Sequence, residues 1–106
     1  MNIIIKATNI ELTSNIKEYV EEKINSLDKY FNNIIEARIE IGINSQRHQK
    51  GEIFFAEANI KIPGKLLRVV KTEKKLFKAI DKVKDHLRVI LRRHKEKIKG
   101  RVKTEK

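Results

Sequence analysis

Residues 2–7, NIIIKA, are a short β-branched run and predict a strand. Thr13 reads as a helix N-cap. Beyond it, Ile16, Val20, Ile24, Leu27 and Phe31 recur every three or four residues, which predicts one apolar stripe on a helix from about 14 to 31. At Ile35 the period becomes two. Ile35, Ala37, Ile39, Ile41 and Ile43 alternate with Glu36, Arg38, Glu40 and Asn44, the pattern of a half-buried strand. The polar stretch 45–51, SQRHQKG, reads as a hairpin loop. Phe54, Ala56, Ala58, Ile60 and Ile62 then mark another alternating strand, ended by the turn pair Pro63-Gly64. A shorter strand follows at about 66–71, whose inward face is ambiguous because Leu66, Leu67, Val69 and Val70 do not alternate cleanly. The last pattern is the longest, a helix over about 73–99. Leu76, Ile80, Val83, Leu87, Ile90, His94 and Ile98 form its apolar stripe, with Phe77 and Leu91 beside them.

The element order is β-α-β-β-β-α, an α+β class. A helix joins the first two strands, so they should run parallel with a right-handed crossover. Short connections make the later strands antiparallel. The expected architecture is a four-stranded mixed sheet with both helices on one face. The part after the first strand has the order of a double-stranded-RNA-binding domain. Residues 1–99 should make one domain, with 100–106 a charged tail expected to be disordered.

Charge sharpens this picture. Residues 1–64 carry eight basic and nine acidic side chains, whereas residues 65–106 carry 17 basic and five acidic. The whole excess of the +11 chain therefore sits in its last part. On the long helix, Lys75, Lys78, Lys82, His86, Val89, Arg93 and Lys97 form a row opposite the apolar stripe, flanked by Lys74 and Arg92. A merely solvated, lysine-rich helix is the blander reading, but uncompensated repulsion works against a compact state, so an anionic partner is expected.

Other chemistries find little support. The chain has no cysteine, which excludes disulfides, thiolate zinc sites and cysteine nucleophiles. No run approaches about 18 apolar residues, so no membrane span is expected. The N-terminus lacks the pattern of a secretory signal, and the expected compartment is the cytoplasm. Neither a GxSxG, a P-loop nor an HExxH pattern occurs, and Ser14, Ser26 and Ser45 stand in no motif. Glu18, Glu21, Glu22 and Asp28 read as a solvated helix face rather than a metal site. His48 reads as a loop residue and His94 as a core-edge residue, with His86 on a different face of the same helix. No enzyme, cofactor or metal site is therefore expected. The basic helix has an apolar side, but the sheet needs it, and aromatic anchors are missing from the polar side, so a lipid surface is not the expected partner. Nucleic acid fits best, through phosphate contacts along the helix. Aromatic content is low and the sheet shows no paired stacking aromatics, so recognition of folded RNA by shape and backbone is favoured over a single-strand stacking platform.

Three stretches carry a family resemblance: Glu11-Leu12-Thr13 with Ile16 to Val20, Lys23, Leu27 and Lys29 to Phe31; Leu76 to Asp81 with Leu87; and Arg93 to Lys99. With these, over about residues 2–99, the chain resembles the ribosome hibernation promoting factors, including the ribosome-associated inhibitor protein Y, also called sigma-54 modulation proteins. The resemblance implies a βαβββα domain that binds the small ribosomal subunit and its ribosomal RNA. Such a domain lies in the mRNA channel across tRNA positions, blocks translation and stores idle ribosomes. A ribosome-dimerising partner protein belongs to that picture where ribosomes are stored as dimers. No cofactor is implied. Carried onto matching positions, RNA contacts fall on Lys23, Lys29, Arg93 and Lys97. The charge row adds Lys75, Lys78, Lys82 and Arg92. Where the family usually has Lys-Leu-x-Arg-Gln, this chain reads His86-Leu87-Arg88-Val89-Ile90, so two usual cations are replaced. The separate dimerisation domain of long family members is not in this sequence, which is consistent with a short form or with the N-terminal half of a long one. A generic structured-RNA-binding module and an interaction protein regulating a transcription factor are the alternative readings.

Overall fold

The computed structural model describes residues 1–44 and 53–104, with side chains up to residue 98. The predicted hairpin loop and His48 lie outside the described residues. Strand β1 (Asn2–Thr8) is followed by helix α1 (Ser14–Asn25) and a 3-10 turn, α2 (Ser26–Lys29). Strands β2 (Glu36–Ile43), β3 (Phe54–Ile62) and β4 (Lys65–Glu73) come next, and the long helix α3 (Leu76–Thr104) closes the order. The strands lie side by side as β1-β2-β3-β4. The β1–β2 pair is parallel and the other two pairs are antiparallel, as the connections demand.

Three helix boundaries differ from the periodicity. The helix predicted over 14–31 splits at Ser26. Thr13 caps its start, where the side chain accepts a hydrogen bond from the Ile16 amide at 3.3 Å. At the other end the Ser26 hydroxyl donates to the Lys23 carbonyl at 2.6 Å. This back-bond competes with α-helical geometry and favours the tighter 3-10 turn. Leu27 and Phe31 still reach the core, because the Tyr30 and Phe31 amides both bond the Leu27 carbonyl, at 2.9 and 3.1 Å. The long helix starts at Leu76 rather than 73, since β4 runs through Glu73, and it continues to Thr104 instead of ending at 99.

The core lies on one face of the sheet. Across β2 and β3, Ala37 pairs with Ile60, Ile39 with Ala58 and Ile41 with Ala56, so large and small side chains alternate. All six are buried, and α3 lays Ala79, Ile80, Val83, Leu87 and Leu91 on the same core. Val20, Ile24, Leu27 and Phe31 complete it from the α1 side. Pairing resolves the ambiguity in β4. Leu67 and Val69 face inward opposite Ile60 and Ala58, while Leu66 and Val70 are 64% and 45% exposed on the far face.

Three apolar residues depart from their predicted places. Ile35 is 49% exposed and Ile34 is buried, because the pleat begins only at Glu36. Phe77 and Ile98, read as members or neighbours of the docking stripe, are each 44% exposed. A helix of 29 residues spans about 44 Å at 1.5 Å per residue, against about 30 Å for a nine-residue strand, so its C-terminal end outruns the sheet and leaves Ile98 in solvent. Phe77 instead lies on the flank of the helix, because Leu76 and Ile80 take the core contact.

Gly42 faces Thr8 across the parallel pair, and a Cβ there would stand 2.1 Å from the Thr8 carbonyl oxygen. The backbone of β1 cannot yield like a flexible side chain. Gly42→Ala is therefore expected to cost about 1–3 kcal/mol through overpacking. Urea unfolding checks this by a lowered midpoint, and an unchanged midpoint would show that β1 frays there without cost.

Candidate nucleic-acid interface

Packing of the α3 stripe on the sheet leaves the opposite side of that helix to solvent. Lys75, just ahead of the helix, and Lys78, Lys82, His86, Val89, Arg93 and Lys97 along it are all exposed. The row read from spacing is thus one continuous outward surface. It runs back along β4: Lys82 pairs with Glu73 at the end of that strand, and Lys65 at its start joins Arg93 and Lys97 in one hollow. The Lys82 ammonium and the Lys74 amide bond Glu73 and hold its carboxyl below the usual range.

Two shallow hollows of about 190 Å³ each flank the C-terminal part of the ridge. Lys29, Tyr30, Arg92, Lys95 and Glu96 line one, on the side of the 3-10 turn. Lys65, Ile90, Arg93, His94 and Lys97 line the other. Each is rich in cations and open to solvent, a shape suited to phosphate oxygens rather than to an enclosed small molecule. The half-buried His94 ring meets Phe31 edge-on at 5.4 Å, at the rim of the core.

The predicted cations therefore fall into distinct settings. Lys29 and Arg92 come together from separate elements, and so do Arg93 and Lys97 with Lys65. Lys75 and Lys78 stand on the exposed row near its start. Lys82 shares that row but is engaged by Glu73. Lys23 is half-buried between the helices, 3.8 Å from Asp81 and 5.2 Å from the centre of the Tyr19 ring. Sequence spacing did not point to Lys65 or Lys95. Lys65 sits beside the Pro63-Gly64 turn, where only the β3–β4 register shows which way it lies, and Lys95 falls one turn beyond Arg92 on a flank that becomes visible once the 3-10 turn is in place.

The far face of the sheet is electrostatically different. Arg38 pairs with Glu36 at 2.8 Å, Arg68 with Glu57 at 3.1 Å, and the Thr8 hydroxyl donates to Glu40 at 2.7 Å. Hydrogen bonds from Asn59 and Arg68 lower the Glu57 pKa. Arg38 there meets an acid of its own strand and Arg68 one of the neighbouring strand, so that face cannot match the field of the ridge. Among the described residues, no group of three or more His, Asp or Glu could hold a metal ion, and no helix is long and apolar enough to cross a membrane.

A four-stranded mixed sheet, with two helices on one face and cations along the outer side of the second, defines a βαβββα domain of the α+β class with one cationic edge. The family model described as sigma 54 modulation protein / S30EA ribosomal protein matches residues 3–99, and the chain belongs to that family. A relative named ribosome hibernation promotion factor, from Deinococcus radiodurans, is 32% identical over 95 residues, covering 86% of this chain and 47% of the relative. One of the same name from Bacillus subtilis is 29% identical, covering 92% and 50%. The chain thus spans about half the length of the curated relatives it matches. Among solved structures, the N-terminal domain of Thermus thermophilus Protein Y superposes with a TM-score of 0.76 at 30% identity, covering 89% of this chain and 99% of that one. A ribosomal subunit interface protein from Coxiella burnetii superposes at 0.79 with 20% identity, covering 91% and 99%, which shows the shared fold.

Arg93 and Lys97 are exposed and outside the core, so replacing both with alanine should leave the melting temperature unchanged. If each meets a phosphate, the slope of log affinity for small-subunit RNA against log salt should become shallower by about two. An unchanged slope would remove this pair from the interface.

Proposed function

We propose that this chain is a ribosome-binding hibernation domain that lies in the mRNA and tRNA channel of the small subunit and acts by occlusion. The single observation that carries the reading is the outward row of α3, where Lys78, Lys82, Arg93 and Lys97 stand exposed on either side of His86 and Val89, in a fold shared with a family whose members are named for ribosome hibernation. Phosphate oxygens are acceptors, and ammonium and guanidinium groups on a rigid helix are preorganised donors for them. The two flanking hollows widen the ridge, so several RNA strands could be engaged at once.

The mechanism needs no bond-making step. A domain held by backbone phosphates excludes messenger and initiator tRNA from the space it fills. Its grip is electrostatic and therefore reversible by salt. The partners under this reading are the small subunit and its ribosomal RNA, with a ribosome-dimerising protein where stored ribosomes pair, and the compartment is the cytoplasm, where ribosomes work.

Cosedimentation of the chain with purified small subunits tests the reading. Binding should be displaced by mRNA and initiator tRNA together. If about 6–10 phosphates are neutralised, affinity should fall about 10³–10⁵-fold between 50 and 200 mM salt, by analogy with duplex DNA. Undiminished binding beside both ligands would reject occlusion. Equal affinity for a plain RNA duplex would favour a generic structured-RNA module instead.

A further inference from the structure

One aromatic pair lies outside the core and outside the ridge. Tyr19 on α1 and Phe77 in the first turn of α3 stand with ring centres 4.5 Å apart and planes inclined by 59°. Phe77 is 44% exposed although it is a large apolar ring. The pair is held firmly. The Tyr19 hydroxyl donates to Asp81 Oδ1 at 2.5 Å, and Lys23 reaches the same oxygen at 3.8 Å. Burial, this hydrogen bond, and the charges of Asp81 and Glu22 push the Tyr19 phenol up to about 12, so it remains a donor across the physiological range.

We infer that Phe77, braced by Tyr19, is a stacking platform for an unpaired nucleobase of the bound RNA. An exposed aromatic face next to cations is the usual means of holding a base that has left its helix. Lys78 follows Phe77 directly and Lys74 precedes it by three residues, and both are exposed, placed for the phosphates on either side of such a base. Asp81, with its side chain 44% exposed, sets a hydrogen-bond acceptor at the rim of the platform, which favours a base carrying an exocyclic amino group. Among the described residues the sheet offers no such pair, and the helices create this one by bringing together residues distant in sequence. The inference rests on the reading that α3 faces RNA and adds a base contact to a surface otherwise made for phosphates.

The chain has no tryptophan, so Phe77→Trp introduces a single reporting indole. F77W should bind small subunits about as tightly as the wild type, with its emission quenched at saturation. Phe77→Leu keeps the apolar contact with Tyr19 but loses the aromatic face. It should weaken binding about five- to a hundredfold, the range found for losing one stacked base, at an unchanged melting temperature. Wild-type affinity in F77L, or unmoved emission in saturated F77W, would overturn the stacking role and leave the phosphate-binding reading standing. A shift of emission to shorter wavelength without quenching would overturn it in favour of a protein surface against the ring. Failure of the wild-type chain to bind subunits would bring down the RNA reading first, and the platform with it.

Discussion

The side chains of Ile80, Val83, Leu87 and Leu91 are pressed against a sheet surface of alternating alanine and isoleucine, and this contact decides where every cation of α3 points. Burying each such residue is worth about 1.5–3 kcal/mol relative to leaving it in water. A surface ion pair is worth about 0–1 kcal/mol. Turning the helix over would forfeit the larger quantity and set its lysines on alanine and isoleucine, since Glu36, Glu40 and Glu57 lie on the far face of the sheet. The cationic row is thus held outward against its own repulsion by apolar packing on the opposite side. Ala37, Ala56 and Ala58 matter as much as the larger residues, because their size lets the helix approach the strands.

The same contact separates the molecule into two electrical surfaces. On the far side of the sheet, the period of two along β2 puts Arg38 beside Glu36, cross-strand register puts Arg68 beside Glu57, and these charges are spent on each other. On α3, Glu73 engages Lys82, whereas Arg93 and Lys97 gather with Lys65 in a cationic hollow. The capacity to grip an anion is concentrated on one edge of the fold.

Much of this arrangement was legible in the sequence. The period-two runs gave β2 and β3, the 3.6-residue stripes gave both long helices, and the exposed row on α3 follows from the spacing of Lys75 to Lys97 alone. What escaped depended on contacts between distant segments. The inward face of β4 could not be chosen until Leu67 and Val69 were set opposite Ile60 and Ala58. The split at Ser26 turns on one hydroxyl back-bond. Phe77 falls beside the docking stripe by spacing, but the spacing does not show that Leu76 and Ile80 take the core contact and leave its ring on the flank. Lys23 is one of the cations that the resemblance singled out, yet its half-buried place against Tyr19 and Asp81 is a matter of how the two helices pack.

Lysine labelling of the full chain, read by mass spectrometry with and without bound small subunits, tests the central claim most directly. The account predicts that Lys75, Lys78 and Lys97 lose reactivity strongly on binding, while Lys6 and Lys61 on the far face of the sheet lose much less. Protection of Lys6 and Lys61 with α3 lysines left reactive would contradict it.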